Sequence, residues 1–184
     1  MALLTLAEAK AQLDITTDTE DAELQAYIDA LTAPIERHVG PVEIRTVTEV
    51  VDGRAALVLT QVPVVSLTSL TPLTTGGTAI GTDEVFLDKD SGVIHRLSGG
   101  SFAGGPWTAV YEAGRGEVPP TINLAARILL QHLWRTQYGA SRGLSSVGGG
   151  DDFLVTEQIA GWGYAIPNRV LQLLEPYKVP PGVA

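Results

Sequence analysis

The chain has no cysteine, one methionine and few aromatic residues, and only 18% of its 184 residues are charged. The absence of cysteine excludes disulfides and thiolate metal sites, and it suits a reducing compartment. No apolar run is long enough to span a membrane, because even the most apolar stretch carries Asn123, Arg127 and Gln131. The N-terminus lacks the basic start of a signal peptide. These absences predict a soluble globular protein that buries its own core.

Basic residues are scarce: 12 Lys and Arg stand against 21 Asp and Glu, which gives a net charge of −9. The imbalance lies in residues 1–52, which hold 11 acids and 3 bases, a balance of −8. Residues 53–118 and 119–184 are close to neutral, at −2 and +1. Phosphate binding needs clustered Lys and Arg, so the acidic third is not expected to bind nucleic acid. It is either a solvated helix surface or a surface that lies near DNA without holding it.

The N-terminal residues predict two helices. Thr5 and Glu8 form a capping box for the first helix. The second begins near Asp18, has acids in its first turn and carries apolar side chains at spacings of three and four. Pro34 is expected to kink or end this helix, unless it continues to Gly40.

From Val42 the pattern changes to a period of two. The segment "VEIRTVTEVV" alternates, and the residues after it are rich in Val, Leu and Thr, as strands are. "EVFLDKDSGVIHRL" predicts a hairpin with the turn "DKDSG", and "WTAVYEAG" predicts a further strand. The prediction is a small antiparallel β unit of about five strands, inserted between the helical segments.

The stretch 119–139 predicts a long helix that starts at two prolines and ends at Gly139. Its polar residues form one narrow row at a spacing of four, and nearly all its other positions are apolar. A helix of this kind is enclosed by partners, so it is either the centre of the domain or part of a subunit interface. A Gly- and Ser-rich loop at 139–152 and a last amphipathic helix follow.

The predicted fold class is α+β. Residues 1–41 and 119–184 form a helical bundle, the first range as N-terminal helices and the second as the long helix, the loop and the C-terminal helix. Residues 42–118 form the inserted small antiparallel β unit. A chain that switches from helical to strand patterns and back favours segregated layers of this type.

The sequence offers no convincing active site. "GASRG" places Ser141 in a G-x-S-x-G pattern, but the pattern follows a helix and enters a flexible loop instead of forming a strand–turn–helix. "DKDSG" fits a hairpin turn better than a calcium loop, whose twelfth position would be Gly99. His38, His95 and His132 lie in different elements without ligand spacing. Catalytic residues, metals and cofactors are therefore not expected.

Three segments together resemble the phage head–tail connector, or head-completion adaptor, proteins of long-tailed bacteriophages. They are "LLTLAEAKAQLDITTDTEDAELQAYIDALTAPIERHVG", "VPPTINLAARILLQHLWRTQYG" and "YAIPNRVLQLLEPYKVP", and they occur in the order that the family has. The β unit is longer than in the all-helical members, and it is similar to that of the strand-containing variant. Its role is left open by the resemblance.

The resemblance implies a structural virion protein that is not an enzyme and needs no cofactor. Family members form a homo-oligomeric ring, commonly twelvefold, which docks on the portal protein, extends the DNA channel and recruits a stopper or tail-terminator protein. DNA passes through the channel without sequence-specific binding, and no membrane is involved. Such a protein is made in the host bacterial cytoplasm and resides in the neck of the virion. The alternatives are another neck or tail-completion protein and, less favoured, a small serine hydrolase.

A ring subunit buries surface against two neighbours, and the helical body is expected to make most of these contacts. The candidate interface or partner-contact residues are Arg127, Leu130, Trp134, Arg135, Arg142, Trp162, Tyr164 and Tyr177. For Arg127 and Arg135, pairing with N-terminal acids of this chain or a neighbour is favoured over contact with phosphate. The loop at 139–152 and the C-terminal tail are candidates for segments that become ordered on docking.

Overall fold

The computed structural model describes residues 3–137 and 166–179. Helices and antiparallel strands alternate along the chain in separate blocks, so the class is α+β, as the sequence predicts. The elements of the described residues are α1 (Leu6–Leu13), α2 (Asp21–Val39), β1 (Arg45–Val51), β2 (Leu57–Val58), β3 (Val64–Pro72), β4 (Val85–Leu87), β5 (Val93–Arg96), β6 (Trp107–Ala113), α3 (Pro120–Gln137) and α4 (Asn168–Leu174).

The described chain forms two compact units. The helical unit consists of residues 3–35, 119–137 and 166–176, and the β unit consists of residues 36–118 and 177–179. The last turn of α2 belongs to the β unit, and so does the end of the described C-terminal segment. Each unit has its own set of buried apolar side chains.

The N-terminal helices form as their local signals indicate. The Thr5 hydroxyl accepts a hydrogen bond from the Glu8 N–H, and the Glu8 carboxylate accepts one from the Thr5 N–H, so the predicted capping box is present. Helix α2 continues through Pro34 to its last residue, Val39, so the proline does not end it. Leu31 and Ile35 on either side of the proline are fully buried, and this packing holds the helix together despite the lost hydrogen bond.

Helix α3 is the centre of the helical unit. It packs on α1 and α4, and its Trp134 ring meets the Tyr27 ring of α2 edge to face at 5.5 Å. The fully or almost fully buried residues of α3 are Ile122, Ala125, Ala126, Leu129 and Leu130. These residues bury one side of the helix within the chain, whereas Leu124 is 45% exposed, so the enclosure of the helix on nearly every side stays a prediction.

The β unit contains two antiparallel three-stranded sheets, with strand orders β1-β6-β3 and β2-β5-β4. The sequence predicts about five strands, and the structure has six in its described residues. The extra strand is β2, which has only two residues and lies in a continuous apolar run. Periodicity cannot divide such a run into separate strands. The hairpin that joins β4 and β5 turns at "DKDSG", as predicted.

Strand β6 lies at the centre of the larger sheet and supplies much of its core. Its alternate residues Trp107, Ala109, Tyr111 and Ala113 are buried against the second sheet. The Tyr111 hydroxyl donates to the Glu49 carboxylate at 2.9 Å and accepts from a backbone N–H at 3.1 Å. Burial raises the pKa of Tyr111 to about 12. This hydroxyl therefore joins β6 to β1 and to the segment that follows β2.

Candidate assembly surfaces

The polar row of α3 consists of Asn123, Arg127, Gln131 and Arg135. Its first two residues bind the start of the chain and the first helix. The Arg127 guanidinium donates to the Glu8 carboxylate at 2.7 Å and to the Asn123 side-chain oxygen at 2.8 Å. The Asn123 amide in turn donates to the Leu3 carbonyl at 3.1 Å. The expected pairing of Arg127 with an N-terminal acid thus occurs inside the chain. The row supplies hydrogen-bond partners to partly buried polar groups between two packed helices.

The Glu8 carboxylate takes part both in this hydrogen-bond network and in the capping box of α1. The Thr5 backbone N–H, the Thr5 hydroxyl and the Arg127 guanidinium lower the pKa of Glu8 from 4.5 to about 2. The depressed value means that the folded chain prefers the ionised carboxylate more strongly than the unfolded chain does. The resulting stability is present above pH 4.5 and is lost as the pH falls towards 2.

Replacing Glu8 by glutamine is expected to lower the free energy of unfolding by about 1–2 kcal/mol at pH 7. This loss is smaller than the pKa shift alone implies, because the carboxylate is one-third exposed and solvent screens its interactions. Urea titrations of both proteins between pH 7 and pH 2 measure the difference. It is expected to shrink as the pH falls from 4.5 towards 2, because Glu8 binds a proton in the unfolded chain before it does so in the folded chain. A difference that does not change with pH would show that Glu8 acts by packing alone.

Of the three other candidate residues on α3, two pack inside the helical unit. Leu130 is fully buried, and Trp134 is half-buried against Tyr27. Arg135 is exposed in the last turn of the helix, where the helix dipole stabilises a positive charge. None of these contacts tests a role between subunits, so the interface assignment of these residues stays a prediction.

Tyr177 is held on the β unit by a residue that sequence reasoning missed. The Arg115 guanidinium lies 5.3 Å from the centre of the Tyr177 ring and donates to the carbonyls of Val39 and Tyr177 at 2.8 and 3.2 Å. Burial lowers the pKa of Arg115. The Val179 N–H donates to the His38 carbonyl at 2.9 Å. The C-terminal segment is therefore anchored as far as residue 179, while the rest of the predicted docking tail lies outside the described residues.

Several predicted features lie outside the part of the chain that the structure describes. They are Arg142, Trp162 and Tyr164 among the contact candidates, the loop at 139–152, and Ser141. Within residues 3–137 and 166–179, no group of His, Asp and Glu side chains could hold a metal ion. No helix in these residues is long and apolar enough to cross a membrane.

Most of the large apolar side chains exposed on the described residues belong to the β unit. Ile44, Val50, Leu73, Phe86 and Leu97 are between 49% and 64% exposed, whereas among the described residues of the helical unit only Leu124 is exposed to a similar degree, at 45%. Exposed apolar side chains that lie close together mark interaction surfaces more often than scattered ones do. The sequence could not separate Val50 and Phe86 from the core, because each stands beside a buried valine, Val51 and Val85.

The fold is shared with solved neck structures of phage-like particles. The chain is similar to one in the structure "Neck of empty GTA particle computed with C6 symmetry", with a TM-score of 0.66 and 19% identity over 97% of this chain and 91% of that chain. In "Virion of native gene transfer agent (GTA) particle" the TM-score is 0.62, at the same identity and coverage. In "Neck of native GTA particle computed with C12 symmetry" the TM-score is 0.57, with 19% identity over 89% of this chain and 86% of that chain.

The head completion protein family matches residues 2–179 of this chain. The chain therefore belongs to the head completion protein family, which confirms the resemblance drawn from the three sequence segments. No match was found among curated proteins. The family and the shared fold support a structural protein of the neck.

Proposed function

We propose that the chain is a head-to-tail adaptor. In this role its copies form a ring that docks on the portal protein, extends the DNA channel and offers a binding surface to a stopper or tail-terminator protein. The observation that carries the proposal is the family match, which runs along residues 2–179. The adaptor acts by binding and positioning its neighbours, so no catalysis is required of it.

A closed ring is supported by the symmetry of the particles that share the fold. Two of their neck structures were computed with C6 and C12 symmetry. The proposed copy number is twelve, the number that the adaptor resemblance implies. A ring of identical subunits is closed by a heterologous contact, in which two different surfaces of each copy meet.

The distribution of charge supports a channel through which DNA moves without being held. Residues 1–52 carry a balance of −8, and Asp14, Asp18 and Asp29 in this part of the helical unit are exposed. Acidic side chains repel the phosphate backbone and form no counterion-releasing contacts with it. We therefore assign the channel side to the acidic N-terminal helices.

The proposal is tested by electron microscopy of the purified chain, alone and mixed with the portal ring of the same particle. The expected result is added density beneath the portal with matching rotational order. Helices α1 and α2 are expected to line the opening. A chain that ignores the portal at high concentration but binds tail tube would contradict the adaptor role and favour a stopper or terminator protein. A mass measurement on the same samples gives the copy number.

A further inference from the structure

The two sheets of the β unit share one apolar core. Trp107 and Tyr111 of the larger sheet (β1-β6-β3) pack in the same cluster of buried side chains as Leu57 and Ile94 of the smaller sheet (β2-β5-β4). The sheets therefore lie face to face, and each has an outer face that points away from this core. The two outer faces lie on opposite sides of the β unit.

The outer face of the larger sheet is a regular grid of small side chains. Cross-strand partners lie on the same side of a sheet, so the register places three residues of each strand on this face. The strand β3 contributes two serines and one threonine to it. The residues from β1 and β6 are Thr46, Thr48, Val50, Thr108, Val110 and Glu112. Val50 is 57% exposed, and none of the side chains on this face is buried.

The outer face of the smaller sheet is mostly apolar. Phe86 of β4 pairs with His95 of β5, and Val58 of β2 pairs with Val93. The Leu97 N–H donates to the carbonyl just before β4 at 2.9 Å, so the pairing continues and brings Leu97 to the same face as His95. Phe86 and Leu97 are diagonal neighbours there and are 56% and 64% exposed. Adjacent exposed apolar side chains of this kind mark an interaction surface.

Charged side chains are scarce on both faces, in a chain with 21 acids and 12 bases. On the larger face the register places only Glu112, whose carboxylate accepts a hydrogen bond from the Ser66 hydroxyl at 3.0 Å. At the end of the smaller face, Glu84 is paired with Arg96 at 3.4 Å. Depletion of charge around an aromatic side chain distinguishes the core of a protein interface from other surface. The larger face also offers hydroxyl and carboxylate oxygens as acceptors, and His95 on the smaller face offers an N–H donor.

We propose that neighbouring copies in the ring join through their β units, the outer face of the larger sheet of one copy packing on the outer face of the smaller sheet of the next. The inference rests on the proposed adaptor ring and names the surfaces that close it. A ring of identical copies needs two different surfaces on every copy, and the β unit carries such a pair on its opposite sides. The contact removes Val50 of one copy and Phe86 and Leu97 of its neighbour from water.

The size of the contact fits a ring that assembles on a template. The spacing and rise of its strands give the larger face an area of roughly 300 Å². Each partner in a stable pair buries about 800 Å². Two free copies are therefore expected to stay apart, whereas on the portal every copy gains two such contacts together with the contact to the portal itself.

Cross-linking tests the contact, and it is specific because the chain has no cysteine. The double variant Thr48→Cys and Leu97→Cys carries one thiol on each face. It is assembled on the portal ring and treated with a bismaleimide of about 10 Å reach, the spacing of packed sheets. A ladder of covalent oligomers up to the size of the ring is expected. Both sheets lie between the two thiols of one copy, so the reagent does not join them within a copy.

The single variants and microscopy provide the controls. Each single variant is expected to remain monomeric, and a mixture of the two is expected to stop at dimers. Dimers of either single variant alone would indicate a symmetric contact and would overturn the proposal. Rings of the double variant on the portal without a ladder would overturn the β-unit contact and leave the adaptor function standing. No ring of the unchanged chain on the portal would overturn the adaptor function and, with it, this inference.

A set of substitutions provides an independent readout without cross-linking. Phe86→Glu places a charge in an uncharged contact and is expected to lower the fraction of portals that carry a ring by tenfold or more. Phe86→Leu keeps an apolar side chain, and Leu124→Glu adds a charge at an exposed position of the helical unit. Each of these two is expected to change the fraction by less than twofold. An intact ring of Phe86→Glu copies that no longer binds the next neck protein would assign this face to that protein and overturn the proposal. Thermal melting of the isolated chains checks that the variants remain folded.

Discussion

Replacing Gly40 by alanine is expected to lower the free energy of unfolding by about 3–5 kcal/mol, which would unfold a large fraction of a marginally stable subunit. Gly40 follows α2 with a φ of +77°, in the left-handed region that favours glycine. An added Cβ would overlap the carbonyl oxygen of Val62 and come within 3.1 Å of the Val179 side chain. Both the backbone conformation and the space around it therefore exclude a side chain.

The matched control is Gly76→Ala. Gly76 has nearly the same backbone conformation, with a φ of +81°, but an added Cβ would meet nothing within 4 Å. Its replacement is expected to cost about 1 kcal/mol, the penalty of the left-handed conformation alone. Urea unfolding of the isolated chain measures both losses. Equal losses would mean that the close approach of Gly40 to Val62 contributes nothing to stability.

Leu130→Ala is expected to lower the free energy of unfolding of the isolated subunit by about 2–5 kcal/mol, because it leaves a cavity in a packed core. Leu130 is fully buried at the centre of the helical unit, whereas Leu124 on the same helix is 45% exposed. Leu124→Ala is therefore expected to change the unfolding free energy by less than about 0.5 kcal/mol.

This comparison also decides between two roles for Leu130. Shortening a side chain of the subunit core lowers the stability of the isolated chain. Shortening a side chain of an interface lowers the stability of the ring instead. If Leu130→Ala leaves the melting temperature of the monomer unchanged but reduces ring formation, Leu130 belongs to an interface that forms after rearrangement of α3. The isolated chain is used because a ring adds stability by mass action and would hide the difference.

Trp134, Arg135 and Tyr177 retain accessible surface, while Trp134 also packs on Tyr27 and Tyr177 on Arg115 within their own units. A ring that must also bind a portal and a second neck protein uses several surfaces of each subunit.

Features that depend on neighbours in sequence could be predicted from the residues. The capping box of Thr5 and Glu8 joins residues three apart, and the turn between β4 and β5 needs only the short segment "DKDSG". The narrow polar row of α3 is likewise visible, because residues four apart lie on one side of a helix. The family could be identified from three such segments in their order.

Features that depend on distant pairing could not be predicted in the same way. The row on α3 could have faced phosphate, a neighbour or its own chain, and only the packing of α1 shows that Arg127 binds Glu8. In the run Val85–Leu87, the first residue is buried and Phe86 is exposed, although both are apolar. Arg115 stands in a short loop without any motif, and its role appears only when Val39 and Tyr177 are brought to it.

The sequence by itself therefore determined the helices, the hairpin, the absence of cysteine chemistry and the family of this protein. The tertiary structure alone decided which apolar side chains stay exposed, which strands pair with each other and where the C-terminal segment is anchored. The physical reason is the range of the interactions involved. Caps, turns and helix periodicity are fixed by residues a few positions apart. Burial and strand pairing depend on which distant segments the fold brings together, and local sequence patterns do not show which segments these are.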